Sequence, residues 1–577
     1  MKEAASMIDP TPSSAPLSRR DALRWTFALT LGSSVAGLAG CGGDGPTTED
    51  TLPDPGVLRS VNGRLEMDLV LRYGHEPRTI NASTGAQAAV YPAASQQVMT
   101  ELRCYNGQYM APTLIVNAGD VLRIRLVNQL PANPVDPTTI ADLSFQNSTN
   151  LHFHGMHVDP KEIRPGVYGD YMVDSWDAGV VPGATRQHEV HIPLDHPPGI
   201  YWYHPHLHGA TNAQVSSGMF GAILIRSPDD AFVTPDEFTE RVFHVHKLSL
   251  DADGRTDTFA ESEDVTASNF VLNGAYQPTM TMRPGEIQIW HFINVASFYP
   301  FNPTLDQHVM QSFARDGNVF DKKFIPVDAS TAPLTLASGQ IDVQHWPGNA
   351  LYPGGRLSVL VKASDVPGSY LLRAGSAPSS QYDEEIVGRL VVEGVPVTMV
   401  MPSPANLPAL AGYEPITDDE VARAGGKHRD LVLAALQKDD PRIASPIPAG
   451  EQWFIPDPDP QNEFVFGVGA AGPSIRLSPF QSSLTPTQTV PLNAVEEWTI
   501  HSLNEYPHPF HIHINDMYVV RINGEPVTPF WCDTLPVPSH GNFTFRMRFT
   551  DFTGKFVWHC HALDHEDMGM MQLVDVV

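Results

Sequence analysis

Cysteine is scarce in this chain: four residues in 577, too few for a disulfide-stapled scaffold. Long stretches of helical periodicity are scarce too. The best helical candidate, 418–436 (DDEVARAGGKHRDLVLAAL), is interrupted by two glycines. Basic residues are outnumbered, with 36 Lys and Arg against 65 Asp and Glu and a formal charge of −29. That balance argues against nucleic acid as a partner, because phosphate binding needs a basic face. It favours solubility and draws cationic ligands toward the surface. What abounds is proline (52) and glycine (44), the composition of a chain with many turns and few long helices. The 42% hydrophobic content is globular, and the length calls for two to four domains.

The N-terminus reads as an address. Arg19 and Arg20 stand just before an apolar run from Trp25 to Leu38. That run falls short of the roughly 20 residues needed to cross a bilayer. It ends in LAGC at Cys41. Residues 1–40 are therefore expected to be a twin-arginine export signal joined to a lipoprotein cleavage box, with Cys41 as the lipidated residue. A plain cleaved signal with an incidental cysteine is the alternative. Residues 41–58, polar and rich in Gly and Pro, read as a flexible tether.

Strand patterns dominate the remainder. LRIRL (122–126), IQIWHF (287–292) and FTFRMRF (543–549) alternate at period two, as half-buried strands do. An internal repeat accompanies them. Segment 105–128 resembles 272–294, and each carries an acid followed eight residues later by asparagine: Asp120 and Asn128, Glu286 and Asn294. Glu496 and Asn504 form a weaker third copy. Three β-sandwich domains of similar size follow, 59–228, 229–396 and 446–577, with a linker over 397–445.

Four windows carry a His-x-His spacing: His152/His154, His204/His206, His511/His513 and His559/His561. Residues i and i+2 of a strand share a face, so each window offers two imidazoles side by side. Eight convergent imidazoles point to metal ligation. Cys560, between His559 and His561, must face the opposite way and can bind a separate ion. Two histidines, a thiolate and a weak axial methionine make a blue-copper electron-transfer site. His508, Cys560 and His565 supply the strong ligands, and Met570 is placed to be axial.

Taken together, the windows resemble those of the multicopper oxidase family, in its laccase-like three-domain bacterial form. The resemblance runs from YNGQYMAPTLIV (105–116) to HCHALDHEDMGMM (559–571). It implies an all-β fold of three cupredoxin-like Greek-key β-sandwich domains and four copper ions. By resemblance, His152 and His511 belong to the type 2 ion. The two type 3 ions take His154, His204 and His561, and His206, His513 and His559. The type 1 ion takes His508, Cys560, His565 and Met570. Dioxygen and a small reducing substrate are the implied reactants, with phenols and aromatic amines as expected donors and a ferrous or cuprous ion as the alternative. The long linker has only Met399 and Met401 in place of a methionine-rich insertion, which disfavours a specialised cuprous oxidase.

The cluster is expected between domains one and three, leaving domain two as a spacer. Glu566 and Asp170 are candidates for feeding protons to bound oxygen; a solvated acid is the bland reading of each. His244 and His246 lack companion ligands and read as structural. His157 and His208 sit beside the ligands but outside the family pattern, and read as structural residues or as groups that orient the ligand rings. Cys104 and Cys532 are expected to form a disulfide across the cluster interface, with two buried thiols as the alternative. Two rivals remain: a copper-binding protein without turnover, and a copper nitrite reductase. Known relatives of the first kind have lost cluster ligands, and the second needs no type 3 pair.

Overall fold

In the computed structural model the described residues are 51–577, except 82–90, 94, 134–145, 173–178, 228–237, 252, 257–266, 329–349, 376–384, 408–412, 438–439, 441–463, 472–475, 479 and 481–487. The twin-arginine motif and Cys41 lie outside them. The described strands fall into three pairs of sheets, along 57–226, 239–392 and 428–576. Each pair closes over one core drawn from both of its sheets. In the first, Leu122, Ile124 and Leu126 point inward from Val121–Asn128 and meet Phe153, Tyr201, Tyr203, Ile223 and Ile225 of the facing sheet. Alternation thus builds the sandwich as the sequence pattern requires.

Strand Ile287–Asn294 departs from its half-buried expectation: every residue is buried. One face, with Trp290 and Phe292, lines the second core. The other, with Ile287 and Ile289, is covered by Leu407, Met399 and Met401 of the linker. The two linker methionines are therefore packing groups. Segment 418–436 is also corrected. Thr417 caps a short helix, Asp418–Arg423, by accepting from Glu420 N–H. Gly425 and Gly426 then take left-handed conformations, and His428–Gln437 continues as a strand. That strand pairs parallel to Val495–Ser502, where it buries Leu431–Leu436 in the third sandwich.

The last residues of the segment read as a tether are docked. Thr51 bridges Thr279, Asn273 Nδ2 donates to Pro53 O, and Val57–Arg59 pairs with Thr113–Asn117. This strap spans the first two sandwiches. The expected disulfide is absent. Cys104 and Cys532 are free thiols buried in separate clusters, Cys104 near Tyr109 and Trp202 and Cys532 in the third core. Burial pushes the Cys104 thiol up to about 12.

Candidate metal centre

Strand register assembles the histidines. His152–His154 pairs antiparallel to Gly199–His204, placing His152 opposite His204. In the third sandwich His508–Ile512 pairs with Gly554–Cys560, placing His511 opposite His559 and Phe510 opposite Cys560. Phe510 and Cys560 point into the third core while His511 and His559 face the first sandwich. The strand period therefore separates the thiol from its neighbours, as expected.

All eight cluster histidines meet in one buried place. His152 stacks on His513 and His154 on His511, each pair with ring centres 3.8 Å apart. Nε2 of His559 lies 3.1 Å from Nε2 of His206 and 3.3 Å from that of His513. His561 Nε2 lies 3.3 Å from His154 Nδ1. Outer nitrogens are anchored elsewhere. His204 Nδ1 donates to Pro205 O, His511 Nδ1 to Asp533 O and His559 Nδ1 to Cys560 O. The inward Nε2 atoms of His152, His204 and His511 are buried with no hydrogen-bond partner. Burial, reinforced by neighbouring rings, holds the basicity of His152, His154, His204, His513, His559 and His561 well below the usual histidine value. Neutral imidazoles with inward lone pairs and no protein donor to meet them fit metal cations.

The second site lies against the third core. Cys560 Sγ is 3.5 Å from His508 Nδ1 and 3.6 Å from His565 Nδ1. Met570 is buried in the same core; its carbonyl accepts from Cys560 N–H and its N–H donates to His565 O. Burial raises the Cys560 thiol well above its ordinary value, so the thiolate needs a bound cation to form there. The donor set of two imidazoles, one thiol and a thioether suits copper. Asn504 Oδ1 accepts from His508 Nε2 at 2.9 Å and so turns Nδ1 toward the sulfur.

Both candidate acids are fully buried, which excludes the solvated-acid reading. Asp170 Oδ1 lies 2.9 Å from His152 Nδ1 and accepts from Phe153 N–H; burial raises its carboxyl to about 8. Glu566 Oε2 is 3.1 Å from His559 Nδ1 and Oε1 is 3.4 Å from His206 Nδ1. His157 instead joins the first and third sandwiches through Ile514 O and Asp551. His208 packs against Phe480. His244 and His246 are buried around Phe220, with Tyr109 hydrogen-bonded to His246, in the structural position expected of them.

Sequence reasoning missed Asp533, Arg356 and Gly354. Asp533 touches His154 and His511; Arg356 binds Asp533; Gly354 packs on His154 and His561. The last two belong to the middle sandwich, which therefore does more than space its neighbours. No local motif marked them. Asn504 was visible only as the third member of the acid–asparagine repeat.

Family profiles described as multicopper oxidase match residues 87–230 and 457–577, the segments bearing the four windows. The chain is 21% identical over 524 residues to a laccase of Bacillus subtilis, covering 83% of this chain and 90% of the relative. It is 22% identical over 495 residues to an iron transport multicopper oxidase of Gibberella zeae, covering 81% and 71%. A laccase structure from Pediococcus acidilactici superimposes with a TM-score of 0.63 at 19% identity, covering 92% of this chain and 94% of that one, and shows the same cupredoxin-like fold. With the windows, the convergent imidazoles and these likenesses in agreement, the chain belongs to the multicopper oxidase family, copper oxidoreductases that move electrons from a reducing substrate to dioxygen.

Proposed function

We propose that this protein is a laccase-like oxidase that couples four one-electron oxidations of an aromatic donor, a phenol or aromatic amine, to reduction of dioxygen to two waters. The observation that carries the donor class is the aromatic collar at the mononuclear site. Phe466, Phe298 and Tyr506 lie 4.9, 5.5 and 5.9 Å from the His565 ring, and Tyr506 is 5.1 Å from His508. Tyr506 is exposed. Such a rim offers an aromatic molecule stacking partners beside the ligand ring through which an electron enters.

The proposed ligand sets are those of the sequence reading: His508, Cys560, His565 and Met570 for type 1; His152 and His511 for type 2; His154, His204 and His561, and His206, His513 and His559, for the type 3 pair. Bound copper supplies one-electron exchange at the first and dioxygen reduction at the cluster. The chain supplies the rest. Cys560 joins the sites covalently through His559 and His561. Asp170 and Glu566 hold protons at carboxylate oxygens facing His152 and His559. Burial of every cluster ring excludes bulk water.

Oxygen uptake by the copper-loaded protein with a phenol, an aromatic amine, Fe(II) and Cu(I) tests the donor assignment. The aromatic donors should show the highest kcat/KM, and Tyr506→Ala should raise their KM. Higher kcat/KM with either metal ion would overturn the assignment, and the iron-transport relative keeps that reading in the test.

We also propose export by the twin-arginine route to the cell envelope, with a lipid on Cys41. The paired arginines, short apolar run and LAGC box support it. A Cys41→Ala chain should leave the membrane fraction; unchanged partition would refute the anchor.

A further inference from the structure

The two stacked histidine pairs are near-equivalent, and each has an aspartate against its outer nitrogens. Asp170 serves His152 and His513, at 2.9 and 4.0 Å from their Nδ1 atoms. Asp533 serves His154 and His511: Oδ1 lies 3.4 Å from His154 Nε2 and 3.6 Å from His511 Nδ1. The charge partner separates the sides. Among the described residues no guanidinium touches Asp170, whereas Arg356 grips Asp533 with both terminal nitrogens, each at 2.6 Å.

Arg356 comes from the middle sandwich and is itself held on several sides. Its Nε donates to Ile200 O of the first sandwich at 3.3 Å, Nη1 to Gly354 O at 3.3 Å, and its backbone N–H to Asp316 Oδ1 at 2.8 Å. It is completely buried. A bidentate fork leaves the carboxylate a single orientation. Thr534 Oγ1 adds a bond to Oδ1 at 2.8 Å and lies 3.3 Å from His154 Nε2. Two residues upstream, Gly354 has φ +87, and a Cβ there would lie 2.8 Å from His561 Cδ2 and 3.0 Å from His154 Cε1. Only glycine lets this loop lie against the ligand rings.

We propose that Arg356 is a positioning residue for the cluster: acting through Asp533, it fixes the orientation of the His154/His511 pair and gives the middle sandwich a hold on the copper ligands. This rests on the copper-oxidase reading above. Residues that orient ligand rings from behind change metal affinity or activity by about 10- to 100-fold when altered. Lysine keeps the charge of arginine and loses the fork, so Arg356→Lys isolates geometry from charge.

The test compares full-length wild type, Arg356→Lys and Arg356→Gln after copper loading. It reads the type 2 electron paramagnetic resonance signal, copper content, blue absorption, steady-state kinetics and thermal midpoint. The expected result for Arg356→Lys is an unchanged blue band and donor KM, an altered type 2 signal, weaker cluster copper retention and a kcat lower by about 10- to 100-fold. Arg356→Gln should show the same pattern more strongly, and the lysine variant decides if the glutamine variant does not fold. Variants with a lower thermal midpoint but wild-type type 2 signal, copper retention and kcat would make Arg356 an interdomain strut and overturn the proposal. Absence of blue and type 2 signals from the wild type would instead overturn the oxidase reading itself.

Discussion

Asn504 shows how one residue type acquires a task by position. Its repeat counterparts Asn128 and Asn294 are buried and tie loops to strand ends, with amide bonds to Asn147 O and Val180 O and to Tyr299 O and Leu351 O. Asn504 keeps that habit through Ala435 and adds a bond from His508 Nε2. Asn504→Ala should weaken copper retention at the mononuclear site by roughly 10- to 100-fold and perturb the blue absorption, as copper titration would show. An unchanged titration would mean His508 is fixed by its other contacts. Glu566→Gln should lower oxygen turnover by about 10- to 100-fold with full copper content, since the variant cannot hold a proton between His206 and His559. The thiols make a simpler case. Titration of denatured, unreduced protein should find Cys104 and Cys532 free; a bridge between them would contradict the two separate cores in which they lie.

At the scale of elements, the convergence of the histidines was legible because chemistry and period coincide. His-x-His in a strand is a two-ligand face, and the intervening Cys560 must turn away. Arg356 and Asp533 were not legible because they meet through tertiary folding, 177 residues apart. The helical pattern over 418–436 failed because Gly425 and Gly426 end the helix within two turns and a parallel strand pairing claims the apolar residues that follow. Ile287–Asn294 read as half-buried since its pattern cannot reveal that a distant linker covers the second face. The start of the second sandwich also carries a pH dependence. Burial raises the Glu240 carboxyl, but His291 at 2.8 Å and Arg226 outweigh it and bring the group down to about 2 from 4.5. A depressed carboxyl contributes stability above its unfolded value that is lost as pH falls toward the folded one. Glu240→Gln should therefore flatten the fall in thermal midpoint between about pH 4.5 and 2 relative to wild type. Parallel curves would show that the pair adds nothing.

For the whole molecule, the three sandwiches and the placement of the cluster between first and third followed from the repeat and the windows. The middle sandwich's hold on the site did not, because Gly354 and Arg356 make it through backbone and a guanidinium, groups that no ligand spacing marks. Since the eight convergent histidines come from two sandwiches, copper bound among them should resist their separation. A ligand that binds only the folded state at a thousand times its Kd adds about 4 kcal/mol. Chelated apoprotein should melt at a lower temperature than copper-loaded protein, and equal midpoints would mean the metal does not bridge the sandwiches.

In the proposed enzyme one thiol, that of Cys560, joins a mononuclear copper to a cluster of three. Copper analysis with absorption and electron paramagnetic resonance spectra, on reconstituted wild type and Cys560→Ser side by side, tests it most directly. The wild type should carry four copper ions, an intense blue band and a type 2 signal. The variant should lose the blue band and donor oxidation and keep the type 2 signal. Far fewer than four ions in the wild type, or donor oxidation that survives loss of the sulfur, would contradict it.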